Sequence, residues 1–168
     1  MEFLERDLED IIFNALMSED GYDMLDERGL DICYSPDHFT CKRQLKIGNY
    51  GVADLVTLSR FTRGRVFIEV IELKRGEVNV DTYIQANRYM TGIKRYIKQF
   101  HPELKPIYST TLIGRYINMG DWVYLINDSE NLKVLTYKYD IDGITFDIHR
   151  DYALKDEGFG KLSNANPF

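Results

Sequence analysis

Cysteine is scarce: Cys33 and Cys41 are the two in 168 residues, and they form no CxxC pair. With the histidines at His38, His101 and His149, they make no zinc-cluster spacing. Their separation permits a disulfide; two reduced thiols in a cytosolic protein is the expectation. No apolar run approaches the length needed to span a bilayer. The segment MEFLERDLED is acidic and lacks the basic-then-apolar layout of a signal peptide, so a cytoplasmic protein without membrane association is expected. There is no Gly-rich phosphate loop and no nucleophile elbow, which sets aside P-loop and α/β-hydrolase chemistry. Internal repeats, low-complexity stretches and linkers are missing too, as expected of one domain.

What is present is an ordinary globular composition, 44% hydrophobic and 29% charged, with 12 Tyr and 9 Phe. The net charge of −6 argues by itself against nucleic acid, but the charge is segregated. Residues 1–38 carry a net −10, residues 39–98 a net +7 and residues 99–168 a net −3. A basic central third can hold a phosphate backbone even when the whole chain is acidic.

Residues 2–17 have the apolar spacing of an amphipathic helix, and residues 18–38 are polar and broken by Gly21, Gly29 and Pro36. Residues 39–46, 52–61 and 65–74 suit strands, with a turn at 48–51 and a hairpin loop between the last two. A helix follows over 80–100, with Asn79 as its N-cap and His101-Pro102 as its end. Residues 106–117, 122–126, 132–139 and 143–149 suit further strands, the last two joined at Asp142-Gly143. The tail after Gly158 has no pattern of regular structure. This order describes an α/β protein with a central mixed sheet flanked by helices.

The chemistry concentrates on one strand. Side chains alternate between faces, so Glu72 and Lys74 project together from the end of an apolar strand. Asp54 stands among Val52, Val56 and Leu58 on the neighbouring strand, and in a hairpin it converges with Glu72. Two carboxylates beside a lysine suit a hard cation, Mg²⁺ or Mn²⁺. Such a site can bind a phosphodiester oxygen, with the lysine orienting or deprotonating the attacking water. A structural ion pair at a strand end fits the same three residues. Gln85 and Tyr89, four apart on the next helix, could orient a phosphate or a water. Arg60, Arg63 and Arg65 make either a phosphate-gripping loop near the site or a solvated turn. Arg88, Lys94, Arg95 and Lys98 suit a solvated helix face, Glu9 and Asp10 solvent-facing helix charges, and Glu69 a contact with a structural cation. Tyr50 and Tyr83 suit core packing, or stacking on unpaired bases.

The succession E-x-x-L-E-D, G-x-x-D-L, I-E-L-K-R-G and Q-x-x-x-Y resembles the PD-(D/E)XK nucleases, most closely their NucS/RecB-like branch. It covers about residues 3–95. The resemblance implies a restriction-endonuclease-like core over about 1–118 with a β-rich C-terminal extension over about 119–168. It implies a Mg²⁺- or Mn²⁺-dependent deoxyribonuclease with Asp54, Glu72, Lys74, Gln85 and Tyr89 as its catalytic set. Asp54, Glu72 and the Leu73 carbonyl would hold the metal, with Glu5 as an outer or additional ligand, and Arg75 would join Arg60, Arg63 and Arg65 on DNA. Single-stranded, branched or end-containing DNA is the implied substrate. The alternative is a non-catalytic nucleic-acid-binding or regulatory protein that kept the fold. The proline of the motif is Ala53 here. That branch carries a separate DNA-binding domain ahead of the nuclease, so DNA capture would fall to the core, to the β-rich C-terminal third, or to a homodimer or partner protein.

Overall fold

The computed structural model describes residues 3–127 and 131–151. Its centre is a six-stranded mixed sheet. In spatial order it holds β1 (Phe39–Lys46), β2 (Val52–Arg60), β3 (Val66–Leu73), β5 (Ile107–Gly114), β7 (Leu132–Asp140) and β8 (Gly143–Arg150). The strands β1, β2 and β3 form an antiparallel meander, β3, β5 and β7 run parallel, and β8 returns antiparallel. A two-stranded parallel ribbon, β4 (Glu77–Val78) and β6 (Tyr116–Ile117), follows directly on β3 and β5. It therefore crowns the C-terminal ends of those strands.

Strand β3 is buried at all eight positions, as a central strand covered on both faces must be. Ile71 and Leu73 pack with Leu8, Ile12 and Leu16 of α1 (Glu5–Leu16) and Leu25 of α2 (Gly21–Glu27). Val66, Ile68 and Val70 face the other way, onto Ala86, Met90, Ile93 and Ile97 of α3 (Val80–Phe100). Helix α3 starts where expected. Asn79 accepts the backbone N–H of Thr82 at 3.0 Å, and Asp121 takes that of Val80 at 3.0 Å. Such a cap contributes about 1 kcal/mol.

Two expectations need correction. Residues 122–126 are helical, in α4 (Trp122–Asn127), although Trp, Val, Tyr and Ile are strand formers. Leu125 is fully buried against the α3 side of the core, and tertiary packing overrides local preference. The β-rich part after about residue 118 extends the central sheet itself: β7 pairs along β5 and β8 along β7. Glu9 does not face solvent. It is 5% exposed and ion-paired to Arg43 at 2.7 Å, and Asp10 meets the same Nη2 of that guanidinium.

Other expectations stand differently. Cys33 and Cys41 are free, and burial raises both thiols, that of Cys41 to about 12. Glu69 is buried, which raises its pKa, and the Lys133 charge and the Thr111 hydroxyl oppose that cost. Arg88, Lys94, Arg95 and Lys98 are exposed on α3. Tyr50 and Tyr83 are half-buried against the core. Among the described residues no helix is long and apolar enough to cross a membrane. The tail after Gly158 lies outside the described residues.

Candidate functional site

The meander opens at one end. The pairing of β2 with β3 runs from Arg60↔Val66 to Leu55↔Ile71 and stops there, while Ala53 and Val52 stay paired with β1. The main-chain N–H of Lys74 bonds to Ile113 of β5 at 2.8 Å. By alternation the N–H of Leu73 points the other way, into the gap that β2 has left. Asp54 fills this gap: its Oδ2 accepts the Leu73 N–H at 2.8 Å. A side chain thus replaces a lost rung of the ladder, and Asp54 comes to lie beside Glu72.

Glu72 is 1% exposed, at the C-terminal end of a buried strand. Its Oε1 accepts from Lys74 Nζ at 3.0 Å. Its Oε2 is buried and has no hydrogen-bond partner. Lys74 Nζ also lies 3.5 Å from Gln85 Oε1, and Gln85 Nε2 donates to Tyr89 Oη at 2.6 Å. Glu5, at the start of α1, reaches round the sheet end and accepts the Arg75 N–H at 3.0 Å. The residues Asp54, Glu72, Lys74, Gln85, Tyr89 and Glu5 therefore meet at one place. They come from four segments of chain: the start of α1, β2, the end of β3 and α3.

The electrostatics follow from this crowding. Burial, and then the charge of Asp54, push the Glu72 carboxyl up to about 7 against the opposing pull of Lys74. Burial also raises Asp54, although the Leu73 N–H and the Lys74 charge oppose it. For Lys74, burial disfavours the ammonium, but Glu72 first, then Glu5 and Asp54, outweigh it and raise its pKa. Lys74 is thus a fixed positive charge at neutral pH, which weakens the expectation that it removes a proton.

Tyr89 is held by the turn between β1 and β2. Gly51 has φ of 116°, and a Cβ there would stand 2.8 Å from Tyr89 Cε1. Gly51→Ala combines a left-handed backbone with a clash against a buried ring. It should cost about 1–3 kcal/mol, read by thermal denaturation. A wild-type melting temperature would show that the ring gives way freely.

Other residues are placed elsewhere. Arg63 and Arg65 lie in the β2–β3 connection and Arg60 ends β2, at the N-terminal end of β3. Strand β3 separates them from the carboxylates by roughly 25 Å at about 3.3 Å per residue. They cannot grip the phosphate that Glu72 would face, which corrects their expected place near the site. Arg75 does adjoin it, directly after Lys74. Among the described residues no group of three or more His, Cys, Asp or Glu could hold a metal by itself. A cation here would draw on two carboxylates, main-chain oxygen and water, a set suited to Mg²⁺ rather than zinc. The Leu73 carbonyl shares the edge of its own N–H and so faces Asp54.

Sequence reasoning missed Glu9 and Gln44. Glu9 stands four residues after Glu5 and three before the buried Ile12, so helical spacing puts it on the packed face. No local signal marks Gln44. No family model, no curated protein and no solved structure matches the chain.

Proposed function

We propose that the chain is a metal-dependent deoxyribonuclease of the PD-(D/E)XK type. One observation carries this reading: Glu72 Oε2 is buried without a partner, beside a second carboxylate and a charged lysine. An orphaned buried carboxylate oxygen is costly; Glu69 Oε2 is orphaned too, but Glu72 is the one that stands with Asp54, Lys74 and Gln85 at an open strand end. A divalent cation held by Asp54, Glu72 and the Leu73 carbonyl would give that oxygen a partner.

When bound, the cation supplies Lewis acidity toward a phosphodiester oxygen. The chain's own groups do the rest. Lys74 places a permanent charge where negative charge builds on phosphorus, and it can orient the attacking water. Gln85 holds Lys74 from the helix side, and Tyr89 fixes Gln85. Glu5 ties the start of α1 to the main chain after Lys74. Single-stranded or branched DNA is the favoured substrate, since the sequence offers no obvious recognition helix and its basic third suits a backbone.

The test is cleavage in Mn²⁺ of supercoiled plasmid and of flap, single-stranded, nicked and intact duplex substrates of matched length. Wild type should cut, favouring the flap and single strand, and Asp54→Ala should not. Metal-independent DNA binding without cleavage would instead support a non-catalytic nucleic-acid-binding protein. Equal cutting by Asp54→Ala would place the chemistry elsewhere.

A further inference from the structure

Strands β1 and β2 pair residue by residue except at one place. Arg43 pairs with Leu55 and Leu45 with Ala53, but Gln44 and Asp54, which stand between them, make no pair. At that gap Gln44 has φ of 48°. This is a left-handed backbone in the middle of a strand, which a non-glycine residue holds only when its surroundings demand it. The demand comes from the side chain. Gln44 Nε2 donates to Glu9 Oε2 at 2.5 Å and lies 3.4 Å from Asp54 Oδ1. Glu9 is itself fixed: it is buried, and its Oε1 accepts from Arg43 Nε at 2.7 Å.

We infer that Gln44 is a positioning residue for Asp54, with its left-handed backbone turning a neutral amide between the anchored Glu9 and the Asp54 carboxylate. The two oxygens of Asp54 then have separate tasks. Oδ2 stays on the Leu73 N–H, and Oδ1 is steadied by a neutral donor. Neutrality matters, because a lysine in this place would ion-pair with Asp54 and compete with a cation. The purpose of this arrangement rests on the proposed nuclease site; the arrangement itself does not.

The test is amide hydrogen exchange, followed by NMR in the full chain without metal, of wild type, Gln44→Gly and Gln44→Asn. Glycine takes the left-handed backbone freely, and asparagine tolerates it but reaches one methylene less. In both variants the Leu73 amide should exchange about tenfold faster, because only Asp54 protects it. The Lys74 amide, bonded to Ile113, should stay within about twofold of wild type, and Gln44→Gly should melt at or above wild type. Mn²⁺ affinity by calorimetry should fall about tenfold, the usual size for a group that orients a ligand. Unchanged Leu73 exchange would overturn the inference. So would joint loss of protection at Leu73 and Lys74, which would mark a merely structural residue. If wild type binds no Mn²⁺, the nuclease reading fails, while Leu73 exchange still decides the role of Gln44.

Discussion

Glu72→Gln should stabilise the metal-free protein, and the gain should appear only as pH rises. Burial and Asp54 raise the folded carboxyl from 4.5 to about 7. The folded state therefore holds this proton more tightly than the unfolded chain does. Its contribution is fully present below about 4.5 and is lost as pH rises through about 7. Glu72 is 1% exposed, so solvent screens little of this. A shift of this size corresponds to about 3 kcal/mol of lost stability at pH 8. Glutamine does not titrate, and it escapes the loss. The difference in melting temperature between variant and wild type should be smallest near pH 4 and grow by about 10 °C by pH 8. A pH-independent difference would mean that Glu72 is not the group being charged. Saturating Mn²⁺ should narrow the gap at pH 8, because it stabilises wild type and not the variant.

Lys74→Ala should lower the cleavage rate by a factor of about 10³ or more, the usual cost of removing a fixed charge from a transition state. Its melting temperature should stay close to wild type. Loss of the ammonium leaves Glu72 beside Asp54 with nothing to oppose their repulsion. Glu72 can then keep its proton, which avoids a bare buried charge. The small stability change and the large rate change separate a catalytic lysine from a structural one. Gln85→Ala and Tyr89→Phe should cost less, because they reach the phosphate only through Lys74. Cleavage by Lys74→Ala at the wild-type rate, with a sharply lowered melting temperature, would leave a strand-end ion pair and no nuclease.

Most elements were legible because their signals are local. The β-branched run Val66 to Leu73 and the three-and-four spacing of α3 survive any tertiary context. The segment Trp122–Asn127 was misread because its composition favours a strand, and only its packing on α3 makes it a helix. The strands β7 and β8 were visible, but not their place beside β5, since parallel pairing across long separations leaves no mark in the sequence. Asp54, Glu72 and Lys74 could be phased because strand alternation is strict. The Glu9–Arg43 pair depends on which face of α1 meets β1, a tertiary choice. The left-handed turn at Gln44 was out of reach altogether, since its residue type carries no such preference.

The irregular pairing at Gln44 also bears on how the molecule meets copies of itself. Strand β1 is one outer edge of the sheet, and β8 is the other. A straight outer edge is a template for strand addition from another chain, and so for aggregation. Here β1 is kinked at Gln44 and exposes Lys42 and Lys46 on either side of the kink. On the far side the register of β7 with β8 slips between Val134 and Leu135, and Asp147 and His149 are exposed along β8. Both margins are thus uneven, and charged or polar side chains interrupt each of them, although Ile148 is exposed along β8; such irregular edges disfavour strand addition.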